Sequence, residues 1–194
     1  MSTVAGSFTL EELAGDYVID TGHSEIGFEA RHAMVTKVRG TFDDFEGRGH
    51  FDPNDLSATW LEVVIRTDSV NTRNTDRDQH LRSPDFFDTA NHPEMRFRST
   101  EITKVDDQHW KVTGDLTIRG VTKPVTFDVE WTGAVVDPWG NVRVGLEGHA
   151  EVNRRDWGLE WNMPLDKGGL LVSEKVKLNF DVAAIRQGES RQSG

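Results

Sequence analysis

Between Val112 and Trp131 the chain alternates apolar and polar residues in two runs separated by one short polar stretch. A period of two marks half-buried strands rather than a helix. Val112, Gly114, Leu116 and Ile118 share one face of the first run, and Val125, Phe127, Val129 and Trp131 share one face of the second. Arg119 to Pro124 lies between them, with a flexible glycine and a proline that cannot donate to a ladder, so the chain is expected to reverse across it. The result is an antiparallel hairpin with one apolar face. That face must be removed from water, either by a packed core or by something held in a hollow.

The same period recurs along most of the chain. Ile26, Phe28 and Ala30 alternate with charged neighbours, as do Val38, Gly40 and Phe42. Further runs cover Ala58 to Thr67, Met95 to Thr103, Asn141 to Asn153 and Leu170 to Ala184. In the first of these Leu61, Val63 and Ile65 share a face, while Trp60 and Val64 make the other face partly apolar too, as if something covers the outside. Two segments break the pattern. Asn71 to His92 is polar, and its Ser83-Pro84 pair suits a cap and first helical position, which places one or two short helices there. Asn153 to Lys167 is irregular and holds Trp157 and Trp161. Thr9 to Glu12 offers a capping box for one helical turn. The reading divides the chain into an N-terminal arm over 1–14, one all-β domain over 15–186 and a polar tail over 187–194. About eight strands in sequence-adjacent pairs, with no βαβ rhythm, describe an up-and-down antiparallel barrel or sandwich. At that strand number a barrel interior is either filled by side chains or able to hold one small ligand.

Charge and composition exclude several roles. Acidic residues number 33 against 22 Lys and Arg, a formal charge of −11 that repels phosphate backbones, so nucleic acid is not an expected partner. Cysteine is absent, which removes thiolate nucleophiles and sulfur metal sites. No apolar run approaches the roughly 20 residues of a membrane span, and the first residues lack a signal-peptide pattern, which points to the cytoplasm, or to the periplasm if a leader has been removed. His23, His32, His80 and His92 have no metal-ligand spacing, and Ser24 has no nucleophile-elbow context. No cofactor is expected. Arg154-Arg155-Asp156 before Trp157 stands out, since an arginine fork suits an ion pair or a ligand's polar or phosphate head.

Six motifs, taken in order, resemble the YceI-like family. They are Asp20 to Ser24 with Ile26, Phe28 and His32; Val38 to Phe42; Arg77 to Leu81; Asp85 to Asp88 with His92-Pro93; Gly114 to Val125; and Asn153 to Gly158. They run from about Tyr17 to Ala184. The resemblance implies an elongated, eight-stranded, lipocalin-like antiparallel barrel whose apolar tunnel holds a polyisoprenoid chain, as in isoprenoid quinones and their precursors, and it carries over no catalytic residue. Strand parity then assigns the tunnel wall to Ile26, Phe28, Val38, Phe42, Leu61, Val63, Ile65, Phe97, Leu116, Ile118, Phe127, Val129, Leu146, Leu178 and Phe180. The clustering of motifs places His23, His32, Arg154 and Trp157 at the mouth, with Phe86-Phe87 as a lid, a plug or an end seal. A non-enzymatic carrier or store is the expected role. An enzyme acting on an amphiphile, and a filled-core interaction module, are the alternatives, and Trp60 and Val64 on the outer face suggest a homodimer.

Overall fold

In the computed structural model, which describes residues 8–188, the alternating runs form one antiparallel sheet that closes on itself. Its strands are β1 (Gly15–Ile19), β2 (Glu25–His32), β3 (Thr36–Phe42), β4 (Phe45–Phe51), β5 (Trp60–Arg66), β6 (Val70–Asn71), β7 (Glu94–Lys104), β8 (His109–Ile118), β9 (Val121–Val136), β10 (Val142–Asn153) and β11 (Lys175–Arg186). Three pairs of these are halves of single long staves. β1 and β2 both pair with β11, Ile19 opposite Ala184 and Glu25 opposite Asp181. Across the break between them the Ser24 hydroxyl accepts the Ala183 amide at 3.0 Å, and the Asp20 amide donates to the Ala183 carbonyl at 2.8 Å. β3 and β4 are parted by Asp43 and Asp44 alone, and β5 and β6 by one tight turn, Thr67–Ser69.

Counted this way, eight staves pair each with the next in sequence order and the last with the first. The fold is a closed eight-stranded antiparallel barrel. Closure leaves no free sheet edge, and the breaks in the first three staves give them the bends that a curled sheet needs. One helix, α1 (Thr75–Arg82), lies at the end of the barrel that we call the upper end. Asn74 caps it by accepting the Arg77 amide at 3.0 Å. No helix among the described residues is long and apolar enough to cross a membrane.

Several local expectations are corrected. The opening hairpin turns at Arg119-Gly120 alone, with φ of 51° and 73°, the geometry of a two-residue turn whose twist matches its strands. Pro124 lies inside β9 opposite Asp115, at a pair where its nitrogen faces away from β8, and β10 pairs with β9 only as far as Asp128, so no ladder bond is lost. Ser83 ends α1 rather than starting a helix: its amide donates to the His80 carbonyl, and Pro84 prevents continuation. The last strand begins at Lys175 rather than Leu170. In the expected arm, Glu11–Leu13 form a single tight turn that packs under the barrel. Residues 1–7 and 189–194, which include half of the expected arm and most of the expected tail, lie outside the described residues.

The lower end is packed solid. Leu13, Trp131, Ala134 and Val142 are buried together, with Leu10, Phe51 and Leu146 against them. The Tyr17 hydroxyl donates to the Leu13 carbonyl at 2.7 Å and the Arg186 guanidinium to the Glu12 carbonyl at 2.6 Å, which fastens the N-terminal turn across the opening. On the outer wall Trp60 is covered from within the chain: the Arg98 and Arg48 guanidinium carbons lie 4.4 and 5.6 Å from its ring, and both arginines pair with Glu62.

Candidate ligand-binding site

Above that floor the barrel is hollow. A cavity of about 290 Å³ runs from the level of Tyr17, Ile19 and Ala184 up to Arg154, Trp157 and Leu159. Its wall consists almost wholly of the inward, apolar positions of the staves. The atoms facing the lumen lack partners on one side, so filling it with an apolar chain adds both burial and dispersion contacts.

The bore is set by three glycines that alternation places on the inner face. Gly40 lies opposite Phe28 in the ladder and Gly148 lies opposite Phe180. A Cβ on Gly40 or Gly148 would collide with the tip of the facing ring, and one on Gly114 would meet Phe97 Cζ at 2.6 Å as well as the Arg98 carbonyl. Each ring therefore lies over bare backbone, along the wall, rather than pointing to the barrel axis. Phe127 sits between two of these rings, edge-on to Phe97 at 5.2 Å and tilted against Phe180 at 5.7 Å.

At the upper end a second cavity of about 420 Å³ adjoins the first and shares Phe28, Ala30, Leu81, Phe86 and Val172 with it. Arg31, His32, Asp76, Arg77, His80 and Trp161 add polar and aromatic lining there. Phe86 is the partition between tunnel and chamber. The Arg119 guanidinium fixes it by donating to its carbonyl at 2.9 Å, so the turn of the opening hairpin fastens the segment that closes the tunnel. His80 and Trp161 stand edge-on at 4.5 Å, each within 5.5 Å of the Phe86 ring. The His80 ring also meets the Asp85 carboxylate at 2.9 Å.

Arg154 and Trp157 come from a tight turn, Arg154–Trp157, that follows β10. Trp157 is 2% exposed, and its indole N–H donates to the Leu116 carbonyl at 2.9 Å. Arg154 is 6% exposed, and it donates to the carbonyls of Ser173 at 2.8 Å, Leu159 at 2.5 Å and Val172 at 3.4 Å. These bonds tie the loop after β10 to the chain entering β11. Burial pushes the guanidinium's pKa below its ordinary value, partly offset by Glu174, yet arginine keeps its charge in proteins. A cation is thus held at the upper end of an apolar tunnel.

Of the wall residues assigned by parity, all but Val38 line the tunnel. Val38 points inward but lies above the tunnel, in the chamber, because β3 extends beyond the Phe86 partition. Arg154 and Trp157 stand at the upper end of the tunnel and His32 in the chamber. His23 is corrected: it sits on the outer wall in the turn between β1 and β2, its side chain 75% exposed, bonded to Asp20 at 2.8 Å and in neither cavity. There it belongs to a polar cluster in which the Arg143 guanidinium, first, and His23, second, hold the Asp20 carboxyl below the usual range. Among the described residues no group of three or more His, Asp or Glu is placed to hold a metal ion. The wall reading left out Val112, Val176 and Val182, which lie on apolar faces inside the alternating runs, and Leu81, Phe87, Met95, Leu159 and Val172, which line the tunnel from outside those runs or at their ends. It also gave the inner-face glycines no role.

A hollow up-and-down barrel with a floor, an apolar bore and a polar antechamber finds its match among known proteins. The model of the YceI-like domain fits residues 17–184. The chain belongs to the YceI-like family. The protein YceI of Escherichia coli O6:H1 is 39% identical to it over 177 residues, 90% of this chain and 89% of the relative. The crystal structure of the YceI protein of Campylobacter jejuni superposes with a TM-score of 0.71 at 31% identity, over 81% of this chain and 90% of that one. A polyisoprenoid-binding domain from Saccharophagus degradans shares the fold, with a TM-score of 0.63 at 18% identity over 88% of this chain and 98% of that one. The YceI-like barrel is therefore common to chains that have diverged far in sequence.

Proposed function

We propose that this YceI-like protein binds a long isoprenoid chain in its tunnel and carries or stores it without transforming it, the chain belonging to an isoprenoid quinone or a polyprenyl precursor. The observation that carries this reading is the apolar lumen, closed below by Leu13 and Trp131 and leading upward into a polar chamber. An isoprenoid chain is long, narrow and without polar atoms, so it is held by exclusion from water at roughly 25 cal/mol per Å² of apolar surface, with few directional contacts. Among the described residues the lining is almost wholly apolar, its polar members being Tyr17, Arg48, Glu62, Asn179 and Arg154. The binding of polyisoprenoid by the Saccharophagus domain, which has the same fold, supports the assignment.

Organic extraction of the purified protein followed by mass spectrometry is the direct test, together with uptake of added geranylgeraniol followed by tryptophan fluorescence. A series of ions spaced by isoprene units, and saturable quenching, are expected. An empty extract combined with no uptake overturns the reading.

A further inference from the structure

The upper rim carries apolar side chains that neither cavity uses. β2 ends in the loop Ala33-Met34-Val35, and the chain approaching β11 runs beside it: the Ala33 amide donates to the Leu171 carbonyl at 2.6 Å, and the Ser173 amide to the Arg31 carbonyl at 3.0 Å. The Leu171 amide in turn donates to the Met163 carbonyl at 2.9 Å. Four large apolar side chains stand out from this apron, Val35 and Met34 at 77% and 63% exposed, with Met163 and Leu170. Met34 rests its thioether on Gly169, which joins the two loops. None of the four lines the tunnel or the chamber. Ala33 and Met34 take φ of 50° and 63°, a region where Asn and Gly are at home and a bulky side chain is costly. Turn geometry therefore does not account for an apolar residue at the tip.

Charge sets this rim apart from the other exposed apolar group. Residues 31–39 hold three cations, Arg31, Lys37 and Arg39, and no carboxylate, in a chain of formal charge −11. Lys37 and Arg39 share the one carboxylate of Glu29. The Arg31 guanidinium and, on the neighbouring loop, the Lys167 ammonium have no hydrogen-bond or ion-pair partner among the described residues. Glu160 and Asp166 are the acids of that second loop. At the opposite end Val135, Val136 and Trp139 are also exposed, but Asp137 lies among them and Arg143 is paired with Asp137 and Asp20.

We propose that the upper rim docks on an anionic lipid bilayer, with Met34, Val35, Met163 and Leu170 entering the boundary between head groups and acyl chains and Arg31, Lys37, Arg39 and Lys167 lying against lipid phosphates. Apolar insertion combined with attraction of cations is how a protein is held at a membrane surface without spanning it. The acidic remainder of the chain is repelled, so the molecule meets the bilayer with this end forward, and at physiological salt that repulsion is screened beyond about 8 Å. On the tunnel reading above, docking lets an isoprenoid pass between bilayer and lumen without crossing water; the docking itself does not depend on what the tunnel holds.

The test is co-sedimentation of the full chain with vesicles of phosphatidylcholine alone and of phosphatidylcholine with an equal part of phosphatidylglycerol. The anionic vesicles are expected to bind at least about tenfold tighter, and salt at about 1 M, which screens charges beyond about 3 Å, to weaken that binding. Met34→Ser combined with Val35→Ser lowers it about tenfold while uptake of geranylgeraniol is unchanged, which shows the barrel intact. Lys167→Gln lowers it about fivefold, and Trp139→Ser, at the other end, leaves it as it was. Absence of binding to the anionic vesicles overturns the proposal, as does a loss on Trp139→Ser as large as that at the rim. Light scattering addresses the other occupant: a dimer that the Met34 and Val35 substitutions dissociate, with no vesicle binding, gives the rim to a second copy of the chain and overturns the proposal too. Vesicle binding by a protein that yields and takes up no isoprenoid upholds the docking and fails the tunnel reading instead.

Discussion

The two ends of the barrel are built from the same alternating staves and behave in opposite ways. At the lower end the inward faces of β9 and β10 meet a covering turn, and Leu13, Trp131, Ala134 and Val142 close into a dry plug. A few residues higher the same faces meet no covering segment: Phe127, Val129 and Leu146 line the lumen. The upper end is roofed by irregular segments, α1, the Phe86-Phe87 stretch and the loop before β11, fastened by Arg154 and Arg119 bonded to carbonyls as well as by the packing of Phe86, Trp157 and Leu159. The difference teaches that an apolar strand face specifies burial but not its partner. Where a local segment arrives, the face becomes core; where none does, it becomes a site for a ligand.

The largest expected effect breaks the floor. Trp131→Ala removes a ring packed on all sides, and such truncations cost about 3–5 kcal/mol, measured by chemical denaturation. Phe180→Ala removes a ring already facing a void, so its cost is expected to be clearly smaller. Equal losses at the two sites would abolish the distinction between a packed floor and an empty bore.

Next in size is Gly148→Ala. Its new Cβ occupies the place of the Phe180 ring, which must swing into the lumen. Isoprenoid affinity is expected to fall about tenfold while the fold persists, checked by fluorescence titration alongside a melting curve. Unchanged affinity would mean that the glycines do not set the bore. Leu116→Trp is expected to act more gently, shifting the extracted ligands toward shorter chains by mass spectrometry, because the added ring fills lumen below the mouth; the backbone carbonyl that Trp157 uses is retained. An unaltered chain-length distribution would remove Leu116 from the functional wall.

The smallest effect concerns the outer cluster around Asp20. Its carboxyl is held below the ordinary value by Arg143 and then His23, so the ionised form is favoured in the folded state. That stabilisation is complete above the unfolded carboxylate pKa of about 3.9 and is lost as the pH falls through the lower folded value. Asp20→Asn is therefore expected to flatten the acid limb of melting temperature against pH without changing ligand affinity. A change in affinity would place the His23 cluster in the binding site after all.

Much of the wall was legible because parity is a local property. Leu61, Val63 and Ile65, or Phe127 and Val129, follow from period two together with the choice of the more apolar face. Val38 shows the limit of that logic: its side is right, yet its height along the barrel depends on where Phe86 crosses, and Phe86 belongs to a segment without periodicity. His23 failed for a related reason. Its motif interrupts the first stave, and a break in a strand hides from sequence which way its side chains turn. Pro124 reads as a turn residue because its missing N–H is visible, whereas the end of the neighbouring ladder at Asp128 is not. The glycines could have been noticed as small residues on an apolar face, but nothing local pairs Gly148 with Phe180.

The sequence by itself determined the all-β class, the inward face of nearly every strand and the membership of the family, because each rests on the order and spacing of residues along one dimension. The tertiary structure decided the rest. It joined broken strands into eight staves, laid Phe28, Phe97 and Phe180 over glycines of the neighbouring strands, set a plug at one end and gathered Arg31, Arg77 and Arg154 around the other. The pairing of β1 and β2 with β11 closes the sheet, which brings residues more than a hundred positions apart into contact. Closure also fixes whether the enclosed space is filled, since that depends on the summed volume of inward side chains against the bore of an eight-stranded barrel.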